Sequence, residues 1–283
     1  MSETARHTEA SARPDLYVVT PCRNAQDTLS DTLETLEGQE AYWTHHFIID
    51  GASTDATLAI AQVYADRHPT KVTIVSETDQ GIYEAMNKGI RLALERACDS
   101  DLIAVNNADD SYLPTTLRLV VETATAYPQV AVIYGDVMLA DSTGLKSGAV
   151  RRSAPVLPAT TSCLEMPLEH PTMFVRAHLY CDLGLYDEGY AIASDFEWVL
   201  RLIESNASVL YLAKPLVLFR TGGISTSRIS ESFREMMRAR IAHGSNPVFE
   251  YLRYGRMRFL ESLYTIARLI PGFESWYARR KGR

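Results

Sequence analysis

The sequence lacks the signatures by which many α/β proteins hold phosphate. No Gly-x-Gly-x-x-Gly follows the first apolar strand, and no Gly-x-x-x-x-Gly-Lys-[Ser/Thr] occurs anywhere. Their absence removes the dinucleotide fingerprint and the P-loop. Cysteine is scarce: Cys22, Cys98, Cys163 and Cys181 form no Cys-x-x-Cys pair and have no histidine at ligand spacing. That pattern excludes a disulfide frame or zinc site and leads us to expect reduced thiols in the cytoplasm. There is no run of 18 or more apolar residues, so no segment is built to span a membrane as a helix. The first fourteen residues are polar and read as a loose tail rather than a signal peptide. Internal repeats and low-complexity segments are missing as well.

What is present supports a full core. The chain has 283 residues, 46% of them hydrophobic, which suits one large domain or a domain with an appendage. Its net charge of −7 is unevenly spread. Residues 251–283 carry eight Arg and Lys against Glu261 and Glu274, so the remainder is strongly acidic. An acidic body with a basic, aromatic-bearing end does not describe a nucleic-acid groove, and no nucleic-acid partner is expected. Leu252, Phe259, Leu260, Leu263, Ile266, Leu269, Ile270 and Phe273 alternate with those arginines. This pattern fits either a helix packed on the domain or an interfacial helix on anionic lipid.

The spacing of apolar runs predicts alternating strands and helices. Strands are expected at 16–20, 46–50, 71–76, 101–106 and 130–135, with helices near 27–39, from about 54 to 67, 81–97 and 114–127. Such alternation means a mostly parallel sheet covered on both faces. After Gly135 the alternation breaks into turns with Pro155, Pro158 and Pro167. Helices are then expected at 177–184 and 194–206, followed by apolar runs at 208–213 and 215–219. From Ile229 the chain reads as helical, interrupted near 244–247 and at Pro271.

Carboxylates gather where these strands end. Asp50 closes the second strand, Asp79 follows the third, and Asp109 and Asp110 follow the fourth. Three neighbouring parallel strands would thus carry acid at their carboxyl ends, where open α/β sheets bind ligands. Such hard oxygen donors suit Mg²⁺ or Mn²⁺ held jointly with a substrate's phosphates. Asp-Asp-Ser is also good turn chemistry, so an acidic turn or helix cap is the competing reading.

Several segments in series resemble the family 2 glycosyltransferases of the GT-A fold. They are Val18-Val-Thr-Pro-Cys-Arg-Asn24, Ile48-Ile-Asp-Gly-Ala-Ser-Thr-Asp55, Asp79-Gln-Gly-Ile-Tyr-Glu-Ala-Met-Asn-Lys-Gly89 and Asn106-Asn-Ala-Asp-Asp110, followed by His170-Pro-Thr-Met-Phe-Val-Arg176 and Ala193-Ser-Asp-Phe-Glu-Trp-Val-Leu-Arg201. The resemblance covers roughly residues 15–225. It implies inverting transfer of a sugar from a nucleoside diphosphate donor, expected to be a UDP- or GDP-sugar, to a glycan or lipid-linked acceptor in bacterial surface polysaccharide assembly.

By the same resemblance Thr20 and Asp50 would contact the nucleobase and ribose, with Asn24 and Asp79 beside them. Lys88 would reach the donor phosphates, unless it is a solvated helix lysine. The family's metal motif is Asp-x-Asp; here Asn107, Ala108 and Asp109 occupy it, which leaves Asp109 as metal ligand and Asp110 as a second ligand or its support. Asn107 can accept a ribose hydroxyl but brings no charge. Asp195 would be the general base, although Ser194-Asp195 also reads as a helix N-cap. His170 would line the acceptor pocket, and Arg220, in Phe219-Arg-Thr-Gly-Gly-Ile-Ser225, would meet phosphate. The Gln-x-x-Arg-Trp signature of processive members is absent, which favours addition of a single sugar.

The resulting expectation is a tail at 1–14, a GT-A domain at 15–225 and a helical extension at 226–283 that contacts membrane or partner. The enzyme would work in the cytoplasm, peripheral on the inner face of the cytoplasmic membrane. The alternatives are a sugar-nucleotide nucleotidyltransferase, which would want a Gly-rich basic loop after the first strand, and a non-catalytic nucleotide-binding protein.

Overall fold

The computed structural model describes residues 13–141, 144–160, 163–222 and 228–267. Most of the expected N-terminal tail, part of the glycine loop after Arg220 and the expected break at Pro271 lie outside the described residues. At its centre is β1 (Leu16–Cys22), all seven of whose residues are buried. It pairs in parallel with β2 (His45–Asp50) on one side and β4 (Leu102–Val105) on the other, and β2 pairs in parallel with β3 (Val72–Ser76).

Strand alternation sends side chains to two separate cores. Leu16 and Val18 of β1, Ile48 of β2, and Leu102 and Ala104 of β4 pack under α1 (Leu29–Glu37), α2 (Thr57–Arg67) and α4 (Thr116–Ala126). Tyr17, Val19, Phe47, Ile49, Ile103 and Val105 pack on the other face, under α3 (Ile82–Leu94), α5 (Ala177–Leu183) and α6 (Ser194–Ser205). Burial on both faces is why these strands read as continuous apolar runs. Helix α3 lies especially close to the sheet. A Cβ on Gly89 would stand 2.2 Å from Val19 Cγ1 and 3.1 Å from Ile49 Cγ1, so only glycine fits there.

The second half of the sheet corrects two expectations. The strand order is β3-β2-β1-β4-β8-β6-β9-β5, with β7 (Lys146–Arg151) paired to β6 (Val132–Ala140). Between β4 and β6, therefore, stands β8 (Phe174–Arg176), antiparallel to both. The sheet is mixed, and its parallel arrangement is confined to β3-β2-β1-β4 and to β6 with β9. The buried Arg176 fixes this insertion, because its guanidinium donates to the carbonyl oxygens of Val130, Ser100 and Ala124. Secondly, the acid-bearing strands β3, β2 and β4 are not all neighbours. Strand β1 runs between β2 and β4, since both flanking strands hydrogen-bond to it.

The two apolar runs at 208–213 and 215–219 join into one strand, β9 (Val209–Arg220), which pairs in parallel with β6 and antiparallel with the two-residue β5 (Ser111–Tyr112). The register slips where Asp136 faces Pro215, a residue without the N–H that a regular ladder needs. Helix α7 (Ile229–Ala242) lies against α6 through an apolar cluster of Phe196, Leu200, Met236 and Ala239. Helix α8 (Pro247–Ala267) is tied to α7 by the buried Arg240–Glu250 pair at 2.8 Å.

Strand β2 also buries two histidines. His46 contacts the hydroxyls of Thr20 (2.8 Å) and Tyr64 (3.4 Å). Burial pushes its pKa down to about 3, and burial together with the Arg96 guanidinium pushes His45 down to about 4. Below the ordinary histidine value of ~6.5 the unfolded chain therefore binds protons that the fold refuses. Stability contributed by neutral His46 is complete above that pH and drains away as pH falls toward 4, because the unfolded state holds more protons. Urea midpoints measured from pH 7 to pH 4 should fall less steeply for His46→Gln, by up to ~1.4 kcal/mol per pH unit, one proton's worth. Parallel curves would contradict the neutral buried histidine.

Candidate active site

One cleft of about 540 Å³ opens at the carboxyl ends of β1, β3 and β4. Pro21 to Ala25 form one wall, and Asp79 with the first turn of α3 forms the floor. Asn107 to Asp110 follow β4 along a second side; His170 and the 191–195 segment close the third, with Phe219 and Arg220 at the rim. Asp79, Asp109, Asp110 and Asp195, spread over more than a hundred residues of chain, thus share one cavity.

Each acid has a distinct setting. Asp79 lies 4.0 Å from the Arg23 guanidinium with its own side chain 6% exposed. Its close approach to the loop after β2 depends on Gly51, where a Cβ would fall 2.2 Å from the Asp79 carboxylate. Burial raises the Asp109 carboxyl pKa, against a lowering pull from Arg220. Asp110 is raised further, by burial first and then by the neighbouring Asp109 charge. Asn107 Nδ2 donates to Asp110 Oδ2 at 3.3 Å, while Asn107 Oδ1 and Asp110 Oδ1 are buried without a hydrogen-bond partner.

These orphaned oxygens bear on the expected divalent cation. Buried acceptors without donors carry a cost that a cation would relieve, and a positive charge beside Asp109 and Asp110 would favour the ionised forms that burial disfavours. Among the described residues no group of three or more His, Cys, Asp or Glu forms a cage. Mg²⁺ and Mn²⁺ need none, since one or two carboxylates suffice when substrate phosphates complete the shell. The donor set fits: Asp109 and Asp110, with Asn107 beside them.

Asp195 sits in the first turn of α6, and Phe196 N–H donates to its Oδ1 at 2.9 Å. The Tyr83 hydroxyl bridges to the same region, 2.6 Å from the Ile192 carbonyl oxygen and 3.0 Å from Asp195 Oδ1. His170 Nε2 lies 2.8 Å from the Tyr186 hydroxyl, and burial lowers its pKa despite the opposing charge of Asp195. The His170 ring and the Asp195 side chain both line the cavity.

Three residues expected at the donor are absent from the cleft lining. Thr20 is fully buried with its hydroxyl on His46, because strand alternation turns it, like Val18, toward the α1–α2 layer. Asp50 is equally buried; it accepts from Ser53 N–H, Ser53 hydroxyl and Ser76 hydroxyl, and so pins the loop after β2 beneath the cleft. Lys88 stays outside the cavity, 3.0 Å from both Glu77 and Glu84. Asn24 does line the cleft, but its side-chain oxygen accepts from Thr54 N–H and braces the loop at φ 50°. Arg220 lines the rim and pairs with Asp31 at 2.7 Å. Ala108 lines the cleft beside Asp109.

Residues 17–158 match the model of glycosyl transferase family 2. The chain belongs to that family. Glycosyltransferases of known name are similar along most of it: the PGL/p-HBAD biosynthesis glycosyltransferase of Mycobacterium bovis is 28% identical over 225 residues, 78% of this chain and 83% of the relative. The O-antigen biosynthesis protein RfbC of Myxococcus xanthus is 26% identical over 77% of this chain, which spans only 16% of that protein. Among solved structures, S. aureus TarS 1–349 in complex with UDP superposes with TM-score 0.58 at 16% identity, covering 92% of this chain and 74% of that one. The mannosyltransferase PcManGT from Pyrobaculum calidifontis, in complex with GDP-Man and Mn²⁺, gives 0.57 at 14% identity, over 95% and 84%. The fold is the expected GT-A α/β fold and the protein is a glycosyltransferase. Neither alternative class gains support.

Two residues at the cleft or against its lining went unread in the sequence. Tyr83 sits inside the Gly-Ile-Tyr-Glu-Ala-Met segment, where its apolar neighbours disguised it as core. Asp31, the partner of Arg220, lies on the exposed side of α1. Tyr83→Phe removes one hydroxyl between Ile192 and Asp195. It is expected to lower stability by about 1 kcal/mol and to slow sugar transfer by roughly tenfold, as a displaced catalytic group would. Thermal denaturation and initial-rate assays measure the two effects; an unchanged rate would detach Tyr83 from the chemistry.

Proposed function

We propose that this glycosyltransferase moves one sugar, with inversion, from a UDP- or GDP-sugar to a hydroxyl of a glycan or lipid-linked acceptor in polysaccharide or glycolipid assembly. The observation that carries this reading is the shared cleft, with Asp195 on one wall and Asn107 to Asp110 on another. The solved neighbours bound to UDP or to GDP-Man and Mn²⁺ support the donor class. The names of the mycobacterial and myxococcal relatives support the acceptor class.

Asp195 accepts the proton of the acceptor hydroxyl as that oxygen attacks the anomeric carbon from the face opposite the diphosphate. The new glycosidic bond forms as the bond from the anomeric carbon to the diphosphate oxygen breaks, and the nucleoside diphosphate leaves. Asp109 and Asp110 hold the divalent cation, which when bound offsets the charge building on the leaving group. Arg23 and Arg220 sit where the nucleotide's phosphates enter, while His170 and Tyr186 border the acceptor side.

The test joins binding and turnover. A thermal-shift screen of UDP, GDP, CDP and dTDP, each with and without Mn²⁺, should single out one base; a ligand at ~100 times its Kd stabilises by ~2.7 kcal/mol. With the matching nucleotide sugar, Asp195→Asn should reduce transfer by at least ~10²-fold, the contribution of a general base. Full transfer by that variant would remove the base assignment, and failure to consume any nucleotide sugar would remove the donor class.

A peripheral membrane contact completes the proposal. Among the described residues no helix is long and apolar enough to cross a membrane. Helix α8 instead turns Val248, Leu252, Phe259 and Leu263 outward, 46–65% exposed, along one stripe at helical spacing. Its inner side holds Glu250 against Arg240, and Arg253 and Arg256 are exposed beside the stripe. Apolar side chains set among arginines match an anionic lipid surface. Co-sedimentation with anionic vesicles should therefore exceed that with neutral ones, and Leu252→Glu/Phe259→Glu should abolish it. Equal binding of both proteins would rule out α8 as the contact.

A further inference from the structure

Helix α7 begins after the donor-side loops and was assigned from the sequence to a C-terminal extension. Yet it places a carboxylate directly behind the catalytic wall. Glu235, 8% exposed, accepts from Ala191 N–H at 2.9 Å through Oε1, and from Ile192 N–H at 2.8 Å and Ala193 N–H at 3.0 Å through Oε2. These N–H groups immediately precede α6, whose own N-terminus has no side-chain cap. A buried carboxylate there satisfies otherwise orphaned donors through charge-assisted bonds and meets the positive end of the α6 dipole.

The same short segment holds the base from its other side. Ile192 gives its N–H to Glu235 and its carbonyl oxygen to the Tyr83 hydroxyl, which also reaches Asp195. One α7 turn further on, Arg238 donates to the Gly189 carbonyl oxygen at 2.9 Å and lays its guanidinium 4.0 Å from the centre of the Tyr190 ring. Met236 and Ala239 pack against Phe196, the residue after Asp195. Residues 189–193 are thus gripped by α7 at several points, and Asp195 follows directly from the gripped segment.

We propose that Glu235 is a positioning residue for sugar transfer, fixing the 191–193 backbone so that Asp195 meets the acceptor hydroxyl. This inference rests on the reading of Asp195 as the base. It predicts a loss in turnover that leaves the donor site intact, since among the described residues the hydrogen bonds of Glu235 go to Ala191, Ile192 and Ala193.

The test is a double-mutant cycle on the full chain, read by radiolabelled transfer to detect slow rates. Glu235→Ala should lower kcat by roughly 10²-fold, the scale of a base displaced by about 1 Å, with the Kd of the nucleoside diphosphate unchanged. Glu235→Gln should fall between, because one amide oxygen can still accept from Ile192 and Ala193 while its NH₂ faces the Ala191 N–H. This isosteric variant keeps the question open to experiment if the alanine form fails to fold. In an Asp195→Asn background the Glu235→Gln change should have almost no further effect, because groups acting as one unit are not additive. Losses that multiply in the double variant, or a Glu235→Gln enzyme with normal kcat, would overturn the proposal. Full transfer by Asp195→Asn alone would instead strike the base assignment, a result no Glu235 variant can produce.

Discussion

A three-residue strand joins the two halves of this glycosyltransferase. Phe174, Val175 and Arg176 run antiparallel between β4 and β6. Arg176 anchors them by donating to the backbone oxygens of Ser100, Ala124 and Val130. The cleft residues that follow in the chain are placed relative to this insertion. His170 stands just before it, and α5 and α6 follow just after. Without β8 in that slot the first turn of α6 would have no fixed relation to the loop after β4. Sugar transfer needs its reacting groups held in a defined geometry, and a rigid joint between the two halves supplies that.

The chemistry of the cleft follows from unequal burial of its acids. Asp50 is enclosed and fully hydrogen-bonded, so it serves as an internal tie between β2 and its loop. Asp110 is buried with one carboxylate oxygen lacking a donor, Asp109 beside it is partly exposed, and burial raises the pKa of both. Asp195 is served by a tyrosine hydroxyl and a backbone N–H and remains partly open to the cavity. Asp50 is thus an internal tie, whereas Asp109, Asp110 and Asp195 line the cleft. Residue type is the same in each case; the number of donors within reach decides the role.

How far the sequence could be read depended on how far apart the interacting residues lie. Strands β1 and β4 and the Phe47–Ile49 stretch of β2 announced themselves because they are buried on both faces and form apolar runs, and β3 showed a shorter, half-buried one. The carboxylates at their ends were equally visible, as was the departure at Asn107 from a doubly acidic motif. Strand β8 was hidden because three residues are too few to show a period, and its pairing partners lie seventy residues before and forty before it. Thr20 and Lys88 were assigned to the donor site because their neighbours in sequence reach it. The side on which a strand or helix residue emerges is a matter of packing, and packing turned both away.

What the sequence determined by itself is local: apolar periodicity set the α/β class, and acids placed after apolar runs marked the edge of the sheet that binds ligand. Tertiary structure alone decided which of those acids face the cavity and which are enclosed. It also decided that Glu235, forty residues beyond Asp195 in chain order, would cap the segment leading into Asp195. The reason is that a carboxylate's role is set by the donors and solvent around it, and most of those arrive from distant parts of the chain.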